Sequence, residues 1–216
     1  MLRIESLDVS IKSVRILRGV GLTLEKGRLL GLIGRNGAGK TTLMRAIMGI
    51  LEPTAGTISF DGAPLLGVPS YQRARAGMGY MPEDRRIIPQ LSIEENVCLP
   101  AWAAGQAHPD ERLRRIYELI PEVGQWKDRK GLQLSGGQQK LAALARALMS
   151  GTKLLLLDEP FEGVAPVLAQ RLAEVVSVLR SEGLSVILSE SDLSHSRKLL
   201  DVVYHIDRGQ VTRAAA

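Results

Sequence analysis

The stretch Leu29-Leu30-Gly31-Leu32-Ile33-Gly34-Arg35-Asn36-Gly37-Ala38-Gly39-Lys40-Thr41-Thr42 decides the fold. It opens as a continuous apolar run, which is how a strand covered on both faces of a parallel sheet reads. It then becomes Gly34-x-x-x-x-Gly39-Lys40-Thr41, the spacing of a phosphate-binding loop. Glycines let the backbone curl until successive N–H groups point inward at phosphate oxygens. A helix is expected to follow from Lys40 to Met48, ended by Gly49, and its N-terminal dipole adds to the attraction for an anion. In such a loop Lys40 bridges the β- and γ-phosphates and the Thr41 hydroxyl ligates Mg²⁺. Gly34, Arg35, Asn36, Gly37, Ala38, Gly39, Lys40, Thr41 and Thr42 are therefore the candidate nucleotide-binding residues.

On the N-terminal side, residues 2 to 33 alternate apolar and polar in short β-branched runs punctuated by Gly19, Gly21 and Gly27, a pattern of strands and hairpins. Thr57 to Phe60 reads as a short strand turned by Asp61-Gly62. Beyond it the character changes, and about 83 to 150 is mostly helical. Ser92-Ile93-Glu94-Glu95 has the capping-box pattern, and Asp110 to Ile120 reads as a helix closed by Pro121. Gln138 to Met149 puts Leu141, Leu144, Ala145 and Leu148 on one face. The last third returns to alternating strand and helix. Leu154 to Leu157 and Val186 to Leu188 read as buried parallel strands. Between them Pro166 starts a helix with Leu168, Leu172, Val175, Val176 and Leu179 along one stripe. Val202-Val203-Tyr204 forms another strand before an Asp207-Arg208-Gly209 turn, and Arg213 to Ala216 read as a loose tail. The expected organisation is a single domain over 1–216, with a core of 1–82 and 151–216 and a helical insert at 83–150.

Composition narrows the function. The chain has 216 residues, 45% of them apolar and 24% charged, enough for a packed core without staples. A formal net charge of +5 points to anionic partners, yet aromatics at 4% do not suit a nucleic-acid binder built on stacking. The single cysteine, Cys98, rules out an internal disulfide and reads as a small apolar helix residue. No apolar run is long enough to span a membrane, and Met1-Leu2-Arg3-Ile4-Glu5 is not a leader, so a soluble, cytoplasmic chain is expected.

Two further motifs carry chemistry. Lys153 to Glu159 is an apolar strand delivering two carboxylates at its C-terminal end, where Asp158 would sit by the magnesium and Glu159 would polarise an attacking water. Taken alone, the pair could equally end a strand before the turn at Pro160. Leu134-Ser135-Gly136-Gly137-Gln138 is a second capped, anion-compatible helix start. It is either an ordinary capped helix or a cap for the γ-phosphate held by another subunit.

Taken together, the phosphate loop, Leu134 to Gln138 and the carboxylate strand resemble the ATP-binding cassette (ABC) ATPases over essentially the whole chain. Within that family the residues are similar to the ATPase subunits of branched-chain amino-acid importers. The similarity runs through the phosphate loop, Pro82-Glu83-Asp84-Arg85-Arg86, Leu91 to Asn96, and Leu154 to Pro160 with Gly163, Ala165 and Pro166. The resemblance implies an α/β fold: a P-loop NTPase (RecA-like) core with an N-terminal antiparallel β-subdomain and an inserted α-helical subdomain. It implies ATP and Mg²⁺ as ligands, with Thr41, Asp158 and Glu83 at the metal and Glu159 and Lys40 catalytic. Ser135, Gly136, Gly137 and Gln138 would cap the ATP of a second ABC ATPase subunit, in a homodimer or heterodimer. The further partners implied are two transmembrane permease subunits and, indirectly, a solute-binding protein, with the chain peripheral on the inner face of the cell membrane.

Four positions depart from the general pattern of that family. Glu83 stands where glutamine is usual and Ala165 where aspartate is, both as in the branched-chain group. Ile11 falls near the place of the aromatic that stacks on adenine. Ser191 occupies the place of the switch histidine; it can hydrogen-bond a phosphate or water but carries no charge. His195, one helical turn on, is the other candidate for that role, while His108, His205 and Gln90 have no motif around them. Two alternatives follow: a slow or non-hydrolysing regulatory subunit lending Ser135 to Gln138, which take the place of the family's signature, to a partner, and a nucleic-acid-associated ATPase. The clusters Arg73/Arg75, Arg85/Arg86, Arg112/Arg114/Arg115 and Lys127/Arg129/Lys130 would serve the second, and otherwise read as solvated faces.

Overall fold

The computed structural model describes residues 1–106, 108–194 and 196–214. The chain begins with β1 (Leu2–Ile11) and β2 (Val14–Leu24), a hairpin turned at Lys12 with φ of 55°. β3 (Leu29–Ile33) runs into the phosphate loop and α1 (Lys40–Ile47). β4 (Ala55–Phe60) and β5 (Ala63–Pro64) follow, then α2 (Ser70–Arg75) and β6 (Met78–Met81). Next come α3 (Ile93–Ala103), α4 (Asp110–Leu119), α5 (Pro121–Gln125), a 3-10 turn at Gly131–Gln133, and α6 (Gly136–Ser150). The chain finishes through β7 (Leu154–Asp158), α7 (Pro166–Ser181), β8 (Ser185–Glu190), β9 (Val202–Asp207) and β10 (Gln210–Arg213).

Two sheets result. The first is antiparallel, ordered β2-β1-β4-β5; the second is ordered β10-β9-β3-β8-β7-β6, parallel except for β10. All residues of β3, β7 and β8 are buried, as their apolar runs require. Alternation along these strands splits the core in two. Leu30, Leu32, Leu154, Leu156 and Ile187 pack with α1 and the antiparallel sheet. Leu29, Leu155, Leu157, Val186 and Leu188 pack with α3 to α7. The parallel sheet is thus a wall with a different core on each face. It lines up the C-terminal ends of β3, β8, β7 and β6, the edge where open α/β sheets hold ligands.

Several local expectations shift. Gly19 and Gly21 lie inside β2, which bulges at Arg18-Gly19, rather than ending strands. Pro121 starts α5 instead of merely closing α4, since a residue without N–H suits the first turn of a helix. Arg213 belongs to β10, not to a loose tail; Ala215 and Ala216 lie outside the described residues. The two-residue turns at Asp61-Gly62 and Arg208-Gly209 have positive φ at both positions, the geometry favoured between twisted antiparallel strands. The capping box at Ser92 is complete: Glu95 N–H donates to Ser92 Oγ at 3.1 Å, and Ser92 N–H donates to Glu95 Oε2 at 2.6 Å. Cys98 is buried in α3, and no described helix is long and apolar enough to cross a membrane.

The largest correction concerns the arginines. Arg73 is fully buried. Its guanidinium donates to the carbonyls of Ala46 (2.9 Å) and Ile47 (2.8 Å) at the end of α1, and to Leu65 (2.6 Å) and Val68 (2.8 Å). It thereby satisfies carbonyls that a helix end leaves open, and is neither solvated nor free for nucleic acid. Arg112 likewise caps α6 through Leu148 O (2.7 and 2.9 Å) and Gly151 O (3.1 Å). Arg146 donates to the carbonyls of Arg85 and Arg86. Part of the basic surplus is structural.

Candidate functional site

The phosphate loop needs its glycines for space as well as for conformation. A Cβ at Gly34 would lie 2.2 Å from the Ile206 carbonyl oxygen, and one at Gly39 2.9 Å from Leu17 Cδ2. Gly37 and Gly39 have φ of 81° and 115°. Behind the loop, Gly209 N–H donates to Ala38 O at 2.9 Å, tying it to the β9–β10 turn. Arg35, Asn36, Gly37 and Ala38 border a cleft of about 620 Å³ that also touches Ser191. A second cleft of about 340 Å³ meets it at Asn36 and Ser191 and is lined by Glu159, Glu162 and Glu190.

At the end of β7, Asp158 is buried and accepts three hydrogen bonds. Thr41 Oγ1 donates to Oδ1 at 3.2 Å, Ser189 Oγ to Oδ1 at 2.8 Å and Tyr80 OH to Oδ2 at 3.1 Å. Burial pushes the Asp158 carboxyl up, and these three donors oppose the shift. Burial and the Asp158 charge push the Tyr80 hydroxyl up, keeping it a donor. Thr41 and Asp158 therefore meet as a hydroxyl and a carboxylate at the first turn of α1, two hard oxygen donors of the type Mg²⁺ selects. Glu83 lies on the exposed chain after β6. Partial desolvation by the neighbouring chain pushes its carboxyl up, with the charges of Asp158, Glu162 and Glu159 adding and Lys140 opposing.

Glu159 has φ of 50°, a left-handed conformation rare for a residue with a side chain. Its N–H donates to Ser189 O (3.2 Å) and Ser189 Oγ (3.1 Å). Its carboxylate lies 2.9 Å from Lys40 Nζ, with both side chains almost wholly buried. Lys40 also donates to Arg35 O at 3.1 Å and to Gly34 O. Ser191 Oγ lies 3.0 Å from Asn36 Oδ1 and 3.3 Å from Glu159 Oε1. The fold thus gathers Lys40, Thr41, Asn36, Asp158, Glu159 and Ser191 at one sheet edge, with Glu83 within electrostatic reach. Ser135 to Gln138 stand apart at the head of α6. There the capping box closes at 3.0 and 3.4 Å, Arg85 Nη1 donates to Gly136 O at 3.1 Å, and Gly137 abuts Leu168. Ile11 is 40% exposed at the end of β1, Ala165 precedes α7, and Gln90, His108 and His205 are exposed. His195 lies outside the described residues.

Comparison with known proteins agrees with this geometry. A family profile described as "ABC transporter" matches residues 17–162. The branched-chain amino acid transport ATP-binding protein BraG of Pseudomonas aeruginosa is 34% identical, covering 98% of this chain and 91% of the relative. The lipopolysaccharide export ATP-binding protein LptB of Escherichia coli (strain K12) is 32% identical, covering 96% and 87%. The chain belongs to the ABC transporter family. Among solved structures, a nucleotide-free ATP-binding cassette superposes with a TM-score of 0.89 at 26% identity, covering 100% of this chain and 91% of that one. A dimeric post-hydrolysis cassette bound to ADP and Pi reaches 0.88 at 21% identity over all of both chains, a likeness of fold alone. The protein is thus an ABC ATPase with the P-loop NTPase core, antiparallel β-subdomain and helical part that the sequence leads one to expect.

Around this ABC core, four groups carry no motif of their own: Tyr80, Ser189, Glu190 and Lys140. Ser189 and Glu190 were findable, because a strand beside the phosphate-loop strand must deliver its last residues to the same edge. Glu190 is buried, accepts from Ser196 Oγ, and is pushed up to about 7 by burial, with the Asp192 and Glu159 charges adding. A carboxyl raised on folding loses stability as pH rises between its unfolded and folded values. Glu190→Gln should therefore melt higher than the parent at pH 8, and the difference should vanish near pH 5. A thermal melt series checks this, and an equal shift at both pH values would contradict it.

Proposed function

We propose that this chain is the ATPase subunit energising uptake of branched-chain amino acids or related small amides through separate membrane subunits. The similarity to BraG over nearly the full length carries this reading. Glu83 and Ala165, which the sequence shares with the branched-chain group, support it.

In this reading the phosphate loop, Gly34 to Thr42, binds the triphosphate and Lys40 neutralises its β- and γ-phosphates. Thr41 and Asp158, with Glu83, would hold Mg²⁺, which when bound neutralises charge on the phosphates. Glu159 accepts a proton from water as it attacks the γ-phosphorus; the bridging P–O bond breaks and ADP leaves with inorganic phosphate. Ser191 orients Asn36 and Glu159 without adding charge. Ser135, Gly136, Gly137 and Gln138 cap the nucleotide of a second cassette subunit, so that closing the pair drives the permeases at the inner membrane face. The similarity to LptB favours a second reading, in which the coupled process is lipopolysaccharide export.

Deleting the gene and following uptake separates the two. Loss of high-affinity uptake of radiolabelled leucine, restored by the parent chain but not by Lys40→Ala, is the expected result. Undiminished uptake with a defective outer envelope would overturn the importer reading in favour of export.

A further inference from the structure

Helix α6 is apolar on nearly every side in its second and third turns, where Leu141, Ala142, Ala143, Leu144 and Ala145 are all buried. Lys140 stands among them, itself only 5% exposed. A buried ammonium needs partners, and those of Lys140 are backbone carbonyls. It donates to Glu159 O at 2.8 Å and to Glu162 O. Burial pulls its pKa down, and the Glu162 charge is the main opposing influence.

The two carbonyls are not ordinary ones. Glu159 holds its left-handed φ of 50° with its N–H fixed by Ser189 on β8, so Lys140 fixes the residue from its other end. A conformation of this kind persists only where its surroundings over-determine it. Lys140 reaches it from the helix that Ser135 caps, so one side chain joins the signature helix to the backbone that aims the Glu159 carboxylate.

We propose that Lys140 is a positioning residue for hydrolysis: its ammonium ties the Glu159–Glu162 loop to α6, so that Glu159 is aimed only when the signature helix is in place. The proposal rests on the role given to Glu159 above. Misplacing a catalytic group by about 1 Å can cost about a hundredfold in rate, so a lost tether is expected to be visible in kcat.

The test is a double-mutant cycle on the purified full chain with ATP and Mg²⁺, following radiolabelled phosphate release. Lys140→Met should lower kcat about tenfold or more with the KM for ATP within about twofold, and Lys140→Arg, which can still donate to both carbonyls, should restore most of the rate. In a Glu159→Gln background, Lys140→Met should cost nothing further, because the group it aims is gone. The same fractional loss in both backgrounds, or no loss in either, would overturn the proposal. A Glu159→Gln chain as fast as the parent would instead overturn the assignment of the base, and the tether's purpose with it. Should Lys140→Met not fold, Lys140→Gln, whose shorter, uncharged amide cannot replace the ammonium, is put through the same cycle and judged by the same outcomes.

Discussion

Glu159→Gln is expected to lower ATP hydrolysis by about a hundredfold or more while nucleotide binding is retained. The amide keeps the shape of the carboxylate. Its oxygen can still accept from Lys40 Nζ and Ser191 Oγ, which lie 2.9 and 3.3 Å from Glu159 Oε1, so the loop around it need not move. What disappears is the capacity to take a proton from water. The phosphate loop itself is untouched, so ATP should bind and a pair of chains closed on ATP should accumulate. Phosphate release measures the first effect and light scattering during size-exclusion chromatography in ATP measures the second. Turnover within about twofold of the parent would move the base elsewhere, with Glu83 the next carboxylate to replace.

Arg73→Ala should be the most damaging change away from the site. It removes one guanidinium and leaves the carbonyls of Ile47 and Val68 without that donor, while those of Ala46 and Leu65 keep only the backbone N–H groups of Gly49 and Val68, in a largely buried place. Leaving buried groups unsatisfied costs more than any single bond contributes, so a loss of about 3 kcal/mol or more is expected. For a chain of this length that corresponds to a fall in Tm of about 6–10 °C. Arg73→Lys should fall between, since an ammonium has three protons for four carbonyls. Arg114→Ala, at an exposed position on α4, should change stability by no more than about 0.5 kcal/mol. Urea unfolding of the three variants decides the matter, and equal midpoints for Arg73→Ala and Arg114→Ala would contradict it.

The contrast between Arg73 and the phosphate loop shows what sequence can and cannot carry here. Leu29 to Thr42, Ser92 to Glu95 and Ser135 to Gln138 are local patterns in which the residues that interact are neighbours in the chain, so spacing alone exposes them. The buried strands β3 and β7 were legible for the same reason. Two of the four carbonyl partners of Arg73 lie 26 and 27 residues away, and those of Lys140 lie 19 and 22 away, across elements whose packing no short pattern encodes. In sequence each looks like a cation on a solvated helix. Tyr80 is similar: its contact with Asp158 exists only because β6 and β7 are adjacent in the sheet. Asp158 and Glu159 were legible as a pair, but the left-handed backbone that turns Glu159 towards Lys40 was not.

The leucines of β7 have one more consequence. Residues 154 to 157 are the same amino acid, so both faces of the strand would look alike to the two cores if it slid by one or two places. Hydrophobic patterning, which ordinarily selects among alignments of a strand, is mute in this one. Selection falls to the polar ends: the N–H groups of Lys153 and Leu154 on Gly77 O, and Asp158 among Thr41, Tyr80 and Ser189. Asp158 is then the key that admits the central strand in one alignment alone, and replacing it with alanine would blur the folding of the sheet as well as its chemistry.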